Sequence, residues 1–451
     1  MDLEELRRRL LEARDARAAR LGSWRVRPPA TVFLSLNVPG PDKNAPRLDR
    51  VFAWARAAVL REWPAASLLA EGRDALGPYA AFGVSAPAAG VKRTCVRLEE
   101  SLPFGRLLDL DVFAVDATPV GRASLPQPPR RCLVCEAPAV ECIRAARHSA
   151  QDLSSSVLRL ARSPLAALAR ALASGACAEL SLTPKPGLVD RLDNGSHPDL
   201  SHESMCRAID TLPVYYDELI GLTDGAPIDL AAAVQAGVRA EERMRAAAGS
   251  NTHRGYIFLS GLLLLAAAVD VTGTTTGWRT AVRSLAHEVT AGGSRPAVAG
   301  GSTPPSSHGG DARRRYRVAG ILGEAAAGLP SLFEHGLPAL DRALTRGLSP
   351  ETARHYAMAV LMTEVEDTTA IHRCGPAGLA RLKEDGASLA ALIEGGGDHL
   401  ARLRALNDEY RAMRLTMGGV ADCLALTLAV HQAVAPEEPP RRLADSRGDE
   451  A

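Results

Sequence analysis

The chain has 451 residues, which predicts two or three domains, and 46% of them are hydrophobic, enough for cores of ordinary size. The 53 Lys and Arg residues nearly balance the 52 Asp and Glu residues, so the formal net charge is +1 at pH 7. This balance argues against nucleic acid or an anionic membrane as a partner. Eight cysteines are too few for a disulfide-stapled secreted protein.

Neither the N-terminal segment nor the longest apolar run predicts export or membrane insertion. The N-terminal segment, residues 2–21, is charged throughout and lacks the apolar core of a signal peptide. The longest apolar run, residues 256–269, is shorter than the roughly 20 residues that span a bilayer. We therefore expect a cytoplasmic protein with reduced thiols and no membrane partner.

The first 150 residues predict a domain that mixes helices and strands. A charged helix over residues 2–21 precedes a strand within TVFLSLNVPG, which ends at its Pro-Gly pair, and an Ala/Val-rich helix over residues 48–61 follows. Pro/Gly-broken segments then include two β-type runs, at residues 91–100 and 107–115. These alternating elements predict a small α/β domain.

From about residue 155 onward, long apolar stretches with helical spacing are joined by short loops. The sequence thus predicts an N-terminal domain over residues 1–153 and an all-α domain over residues 156–433. Within the second domain, the Gly/Pro/Ser-rich stretch 291–315 predicts a disordered insertion. The charged, proline-rich residues 434–451 predict a disordered tail.

An acidic pair stands out in the N-terminal half, within FGRLLDLDVFAV. Because side chains of a strand alternate between faces, Asp109 and Asp111 share one face while their neighbours point into the core. Two such carboxylates can hold one Mg²⁺ with open positions for phosphate oxygens, as phosphoryl or nucleotidyl transfer requires. Gly105-Arg106 precedes the pair and could meet a phosphate chain. The alternative is a half-exposed strand with solvated acids.

A second cluster has the form Cys-x2-Cys-x6-Cys-x5-His. Its members, Cys132, Cys135, Cys142 and His148, resemble the ligands of a zinc site with three thiolates and one imidazole. No ligand position is left open, so the pattern predicts a structural Zn²⁺ ion rather than a catalytic one. The alternative is a core thiol at Cys142 and an exposed His148.

Three segments, NVPGPDKNAPRL, GRLLDLDV and RCLVC…C…RH, occur in this order over about residues 30–150. Together they resemble the citrate lyase holo-acyl-carrier-protein synthase family. Its members transfer a phosphoribosyl-dephospho-CoA group to a serine of the acyl-carrier (gamma) subunit of citrate lyase and release pyrophosphate. The resemblance implies that Asp109 and Asp111 are catalytic metal ligands, that Arg106 and Lys43 contact the triphosphate, and that the α/β (α+β) domain is nucleotidyltransferase-like.

The first polar motif of the helical half is ELSLTPKPGLVDRLDNGSHPDL. Two prolines stiffen this loop and hold Lys185 between them, beside Asp190, Asn194 and His197. Loops that concentrate such groups are often sites, although a polar connector is the alternative.

The second motif, GSNTHRGYIFLS, predicts a helix N-terminus. Asn251 or Thr252 can cap that helix, and Arg254 with His253 would strengthen an anion site at its free N–H groups. An ordinary cap on a core helix is the alternative.

The third motif is acidic. VLMTEVEDTTAIHRCG predicts one helix over residues 360–375, with Glu364 and Asp367 on one face. Asp422 follows later, in TMGGVAD. Carboxylates from two helices would form an Mg²⁺ site in an all-α domain, and solvated helix faces are the alternative.

In this order over about residues 157–430, the motifs TPKPGLVDR, NTHRG, GEAAAGLP, EDT and GGVAD resemble the triphosphoribosyl-dephospho-CoA synthase family. That family joins ATP to 3′-dephospho-CoA and expels adenine. The resemblance implies Mg²⁺ and an intact triphosphate that binds cations. The implied metal ligands are Glu366, Asp367 and Asp422, the implied catalytic acids near the ribose are Asp190 or Glu324, and the implied substrate-binding residues are Lys185, Asn194, His197, Asn251, His253, Arg254 and Arg373.

Five residues depart from the synthase pattern, namely Leu322, Thr369, Cys374, Thr416 and Met417. These departures leave open whether the synthase half is fully active. The two resemblances together predict a bifunctional enzyme of citrate lyase maturation, whose fusion raises the effective concentration of the intermediate. Two alternatives remain. The same precursor could serve malonate decarboxylase, or the chain could be a non-catalytic, zinc-stabilised adaptor that binds the carrier protein.

Overall fold

The computed structural model describes residues 3–22, 28–250, 252–270, 272–291 and 318–434. Asn251, residues 292–315 of the predicted insertion and residues 435–451 of the predicted tail lie outside the described residues. Among the helices that the structure describes, none combines the length and apolar character needed to cross a membrane.

The N-terminal part contains a five-stranded antiparallel sheet. Its strands are β1 (Ala30–Leu36), β2 (Ser67–Asp74), β3 (Gly77–Val84), β4 (Leu108–Ala114) and β5 (Pro119–Val120). The spatial order is β2-β3-β1-β4-β5, so β1 lies at the centre between β3 and β4. The predicted strands at β1 and β4 are confirmed. The β2–β3 hairpin was not predicted, because β2 is mostly exposed and β3 is buried along its whole length, so neither alternates.

Three helices belong to this part: α1 (Leu3–Gly22), α2 (Pro46–Glu62) and α3 (Ala88–Ser101). The predicted helices at α1 and α2 are confirmed. The β-type prediction for residues 91–100 is wrong, because these residues form α3. Val91, Cys95 and Leu98 are buried at helical spacing, which outweighs the β-propensity of the valine and threonine residues.

From residue 139 onward, every regular element that the structure describes is helical, which confirms the helical prediction for the residues after about 155. The longest is α5 (Ala150–Ser181), whose 32 residues include Pro164. The others are α4 (Ala139–Arg144), α6 (His202–Ile209), α7 (Leu212–Leu222), α8 (Leu230–Ala248), α9 (Arg254–Val269), α10 (Thr275–Ala291), α11 (Gly320–Ala326), a π-helical turn (Ser331–Gly336), α12 (Leu337–Thr345), α13 (Pro350–Glu364), α14 (Thr368–Glu394), α15 (His399–Met413) and α16 (Gly418–Val434).

The single helix predicted over residues 360–375 is interrupted, so that prediction is wrong. Helix α13 ends at Glu364, and α14 begins at Thr368 after three non-helical residues. Asp367 is the N-cap of α14 and does not lie on a helix face shared with Glu364. A further kink lies at Gly375, whose φ of +67° places it in the left-handed region that glycine tolerates.

The chain forms two compact units. The first comprises residues 1–169 and 210–330, and the second comprises residues 170–209 and 331–451. The second unit has an apolar core to which α12 to α16 contribute, including the buried Tyr356, Leu406 and Tyr410. The predicted domain ranges, 1–153 and 156–433, follow changes in sequence pattern and stay a prediction.

Candidate active sites

The acidic pair lies on β4 in the first unit. Asp109 is opposite Ser35 of β1 and Asp111 is opposite Phe33, so the register confirms that the two carboxylates share one face. The alternate residues of the strand are buried, whereas Asp111 is exposed and the Asp109 side chain is 41% exposed. Both acids are therefore accessible to a ligand.

The two carboxylates influence each other. Desolvation, followed by repulsion from Asp109, raises the pKa of Asp111 to about 6. A shared cation would offset that repulsion, and exposed carboxylate oxygens are the ligands that Mg²⁺ prefers. The pair therefore fits a magnesium ion.

The pH dependence of stability should report the raised pKa of Asp111, to which desolvation contributes most and repulsion from Asp109 next. Folding raises the pKa of Asp111 from 3.8 to about 6, so the folded protein holds this proton more tightly than the unfolded chain does. Without magnesium, the contribution of Asp111 to the free energy of unfolding should therefore fall as the pH rises from about 3.8 to about 6. Asp111→Asn should therefore raise the melting temperature above pH 6 and leave it unchanged near pH 4. If Asp111→Asn is no more stable than the wild type at neutral pH, the raised pKa of Asp111 is contradicted.

Two arginines connect the acidic pair with the cysteine cluster. Arg130 donates from Nη1 to Oδ1 of Asp109 at 3.1 Å and from Nη2 to the carbonyls of Arg106, at 3.3 Å, and Leu108. Arg106 itself donates to the carbonyl of Cys132 at 3.0 Å, and also to a glutamate carboxylate. Sequence reasoning predicted Arg106 as a triphosphate contact and missed Arg130, whose position in the RRC motif was the available signal.

Two buried residues of α3 hold the strand between the aspartates. Lys92 donates from Nζ to the carbonyl of Leu110 at 2.7 Å, and Glu99 accepts the N–H of the same residue at 3.1 Å. The second oxygen of Glu99 forms a 2.6 Å ion pair with Arg122. Residues 92 and 99 share a face only if the segment is helical, so the wrong β-type prediction concealed them.

Lys43, the other predicted triphosphate contact, lies in the loop after β1. Its Nζ donates to the carbonyl of Val38. Burial, followed by the charge of Arg17, lowers the pKa of Lys43. The observed contact stabilises the loop, and the triphosphate contact stays a prediction.

The four predicted zinc ligands lie together. One ligand atom from each of Cys132, Cys135, Cys142 and His148 lies within 4.8 Å of all the others. Burial opposes ionisation of Cys132, yet hydrogen bonds from the backbone N–H groups of Cys135 and Val134 and from the thiols of Cys142 and Cys135 together lower the pKa of that thiol. Three thiols and one imidazole suit Zn²⁺ better than Mg²⁺ or Ca²⁺, so the residues fit the predicted ion.

In the second unit, Lys185 is 1% exposed and forms an ion pair with Glu179 of α5. Its Nζ also donates to the Glu179 carbonyl at 2.7 Å. Burial raises the pKa of Glu179, and the ammonium group opposes that rise. The lysine of TPKPGLVD is thus paired inside the protein, and its contact with a triphosphate stays a prediction.

The remainder of that loop is held by polar groups within the loop and by contacts from residues outside it. Asp190 accepts the backbone N–H groups of Lys185, at 2.9 Å, and Leu192, at 2.7 Å. His197 Nε2 lies 2.9 Å from Oγ1 of Thr416, and burial, followed by the charge of Arg373, lowers the pKa of His197. Asn194 and Arg373 are exposed. Thr416, one of the departures from the synthase pattern, therefore contacts a predicted site residue.

The carboxylate of Asp367 is fully buried and occupied by peptide donors. Oδ1 accepts the N–H groups of Thr369, at 2.8 Å, and Ala370, at 2.9 Å, and Oδ2 accepts that of Val420 at 2.9 Å. Burial raises the pKa of this carboxyl. Asp367 thus does not fit the predicted magnesium ion, which would have to displace these donors. Glu366 is exposed and Asp422 is half-buried, and their metal roles stay predictions.

Asp367→Asn therefore has an expected structural cost. The amide keeps one acceptor oxygen but presents an NH₂ group to peptide N–H donors, so the free energy of unfolding should fall by about 1–3 kcal/mol. Urea denaturation measures this loss. The matched control is Glu366→Gln, an exposed neighbour, which should change stability by less than about 0.5 kcal/mol. Equal stability of the two variants would contradict the capping role.

The remaining predicted synthase residues belong to the first unit. His253 is buried and is the N-cap of α9, with Nδ1 2.6 Å from Oγ1 of Thr252. Arg254 begins that helix and is 57% exposed, with its Nε 3.4 Å from Glu241. Glu324 is half-buried on α11. The synthase motifs are thus distributed over both units.

A cavity of about 790 Å³ in the first unit was not predicted from the sequence. It is lined by Pro46 and Arg50 of α2 and by residues of the 223–288 segment, and no predicted site residue lines it. Arg50 is 9% exposed and donates to the Thr223 carbonyl, while its Nε and Nη2 are buried without hydrogen-bond partners. The exposed area of the cavity wall is mainly apolar, and its polar lining combines Arg50 with Asp270, Glu288 and several threonines.

Two family models match consecutive parts of the chain. Residues 6–163 match apo-citrate lyase phosphoribosyl-dephospho-CoA transferase, and residues 165–440 match ATP:dephospho-CoA triphosphoribosyl transferase. The protein named CitXG from Leuconostoc mesenteroides subsp. cremoris is 29% identical over 437 residues, which cover 90% of this chain and 92% of that protein. The chain belongs to both families. It is a bifunctional transferase, as the sequence predicts.

Other relatives of the fusion enzyme match its helical half. A "Probable 2-(5''-triphosphoribosyl)-3'-dephosphocoenzyme-A synthase" from Pseudomonas putida is 35% identical over 265 residues, covering 56% of this chain and 90% of the relative. A protein of the same name from Pseudomonas paraeruginosa (strain DSM 24068 / PA7) is 37% identical over 290 residues, which cover 60% of this chain and 94% of that protein. Together with the N-terminal match to apo-citrate lyase phosphoribosyl-dephospho-CoA transferase, these relatives support a role of the fusion enzyme in maturation of the citrate lyase prosthetic group.

Proposed function

We propose that the fusion enzyme catalyses two consecutive steps of this maturation. In the first, the 2′-hydroxyl of 3′-dephospho-CoA attacks the anomeric carbon of ATP, and the bond to adenine breaks. The hydroxyl proton leaves through a base, adenine departs, and 2′-(5″-triphosphoribosyl)-3′-dephospho-CoA is formed. The positive charge that develops at the anomeric carbon calls for a nearby carboxylate, as in glycoside cleavage.

In the second step, a serine hydroxyl of the citrate lyase acyl-carrier subunit attacks the α-phosphorus of that product. The bond to the β-phosphate breaks, pyrophosphate leaves, and the serine proton passes to a base. The carrier keeps the phosphoribosyl-dephospho-CoA group through a phosphodiester. The observation that carries this pairing of activities is the match of both transferase families in one chain, which aligns over 90% of its length with the protein named CitXG. The order of the steps follows because the product of the first is the substrate of the second.

The second step is proposed for the acidic pair on β4. Asp109 and Asp111 would hold Mg²⁺, which offsets the charge of the triphosphate when bound. Arg130 orients Asp109 through the 3.1 Å ion pair, and Lys92 fixes the backbone between the two acids. The chain's own residues thus place two acidic side chains at an accessible position, as phosphoryl transfer requires.

The cofactors and the cellular location are also part of this proposal. Mg²⁺ serves the transferase step, Zn²⁺ at the cysteine cluster is structural, and ATP and 3′-dephospho-CoA are substrates. We place the enzyme in the cytoplasm, where thiols stay reduced and free for a metal.

One incubation tests both steps. The enzyme receives ATP, Mg²⁺ and dephospho-CoA, with or without apo-carrier protein, while adenine, pyrophosphate and carrier mass are measured. We expect adenine in both mixtures, and pyrophosphate with a heavier carrier only when the carrier is present. Modification of a malonate decarboxylase carrier in place of the citrate lyase carrier would favour that alternative. If neither adenine nor pyrophosphate is formed, the result would favour the non-catalytic adaptor.

A further inference from the structure

The segment of residues 121–149 has very little apolar core of its own. The structure describes all of these residues, and those buried among them are Cys132, Leu133 and Cys142. Its regular elements are a 3-10 turn at Arg122–Ser124, one β-bridge and the six-residue α4. A segment that buries so little apolar surface needs another source of stability, and small folds commonly use a metal.

The cysteine cluster has the dimensions of a tetrahedral zinc site. Bonds of about 2.3 Å to sulfur and about 2.0–2.1 Å to nitrogen keep neighbouring ligand atoms about 3.6–3.8 Å apart. Cys135 Sγ lies 3.5 Å from Cys142 Sγ and 3.4 Å from His148 Nε2. The N–H of Val134 points to Cys132 Sγ at 3.4 Å, as a thiolate would require. The four side chains therefore need little movement to enclose one ion.

The cluster closes a hairpin whose base reaches the acidic pair. The N–H of Cys132 donates to the carbonyl of Ala137 at 2.9 Å, and the carbonyl of Arg130 accepts the N–H of Ala139 at 2.8 Å. From that base the Arg130 guanidinium extends to Asp109. The backbone that carries a zinc ligand thus also carries the residue that orients the acid.

A second set of contacts runs through Arg106. Its guanidinium donates to the carbonyl of Cys132 at 3.0 Å and to Glu136 at 2.6 Å, directly after Cys135. The backbone carbonyl of Arg106 accepts from Arg130 at 3.3 Å. Both arginines near the acidic pair are therefore held by the hairpin that the cluster closes.

We infer that Zn²⁺ bound by Cys132, Cys135, Cys142 and His148 positions the transferase site, because it holds the hairpin that places Arg130 on Asp109. Arg130 is a positioning residue in this scheme. The inference rests on the proposed transferase function only for its activity readout, since zinc content is measured independently. Loss of the metal opens the hairpin and removes Arg130 from Asp109, and the repulsion between the two acids is then no longer offset.

The metal is tested on the full chain purified without chelator, by elemental analysis. We expect about one zinc per chain and, after replacement with cobalt(II), thiolate-to-metal charge-transfer absorption. His148→Ala should lose the metal, and His148→Cys should retain it as a four-thiolate site. Cys206→Ser, outside the cluster, is the matched control and should keep zinc. A wild-type chain without zinc, or full zinc in His148→Ala, would overturn the inference.

The positioning role is tested with two activities in one chain. His148→Ala should release pyrophosphate about 10–100-fold more slowly than the wild type, the size of effect seen when an outer-shell partner is lost, with adenine release unchanged. Arg130→Ala should show the same loss while keeping its zinc, and Arg130→Lys should recover part of it. A zinc-free variant with full transferase activity, or a parallel fall in adenine release, would refute the positioning role. A wild-type protein that binds zinc but modifies no carrier would refute the proposed function alone.

Discussion

Asp109→Asn is expected to slow modification of the carrier protein strongly while adenine release continues at the wild-type rate. Asp109 and Asp111 share one face of β4, so the change leaves a single carboxylate there. Phosphoryl transfer depends on positioning and charge neutralisation, and the transferase rate should fall by about 10²–10³-fold, as when one transition-state contact is removed. Purified triphosphoribosyl-dephospho-CoA and apo-carrier protein isolate this step, with pyrophosphate and carrier mass as the readouts.

The control for this variant is Asp42→Asn. Asp42 is also an aspartate of the first unit, 63% exposed and paired with Arg47 at 2.9 Å, and its loss should leave both activities unchanged. Melting temperatures of the two variants exclude unfolding as the cause. A normal pyrophosphate rate in Asp109→Asn would remove the acidic pair from the mechanism. Loss of adenine release would show that the variant acts beyond the transferase step.

Lys185→Met should be among the most destabilising substitutions in the second unit. Lys185 and Glu179 are 1% and 5% exposed, and the ammonium also binds the Glu179 carbonyl. Removing one partner of a buried ion pair leaves an unpaired charge, which costs about 3–5 kcal/mol of unfolding free energy. Urea denaturation of the full chain measures the loss.

The double variant Lys185→Met/Glu179→Gln removes both charges and should recover most of that stability. If the double variant is as unstable as the single one, the ion pair is not the source of the loss. Adenine release by the double variant then tests the predicted triphosphate contact. If the double variant regains adenine release together with stability, the predicted contact of Lys185 with the triphosphate is contradicted, because this variant lacks the lysine.

Local sequence patterning was sufficient for a long charged helix, for an apolar run that ends at a Pro-Gly pair, for a strand with alternating burial and for a distinctive ligand spacing. It predicted α1, β1 and β4, the shared face of Asp109 and Asp111, and the cysteine cluster. It failed for α3, because valine and threonine favour strands while the helical burial of Val91 and Cys95 depends on the sheet against which they pack.

The functional neighbours of the acids depend on contacts that are distant in sequence. Arg130 reaches Asp109 across 21 residues, and Asp367 binds the N–H of Val420 across 53. No window of neighbouring residues contains such pairs. Lys185 lies only six residues after its partner Glu179, but its burial results from the tertiary fold around the TPKP loop, which the local pattern does not show. Sequence patterns thus identified the chemical groups, and the fold determined which of them are accessible.

The helix α5 has a consequence for anyone who wishes to study the two activities separately. The matched family ranges end at residue 163 and resume at residue 165, and Pro164 between them lies inside the 32 residues of α5. Dividing the gene at that border would give each fragment a severed helix, with backbone groups that have lost their partners. A cut before residue 150 would leave α5 whole in the C-terminal fragment. The border between the two matched family ranges is therefore a poor place to separate the two activities.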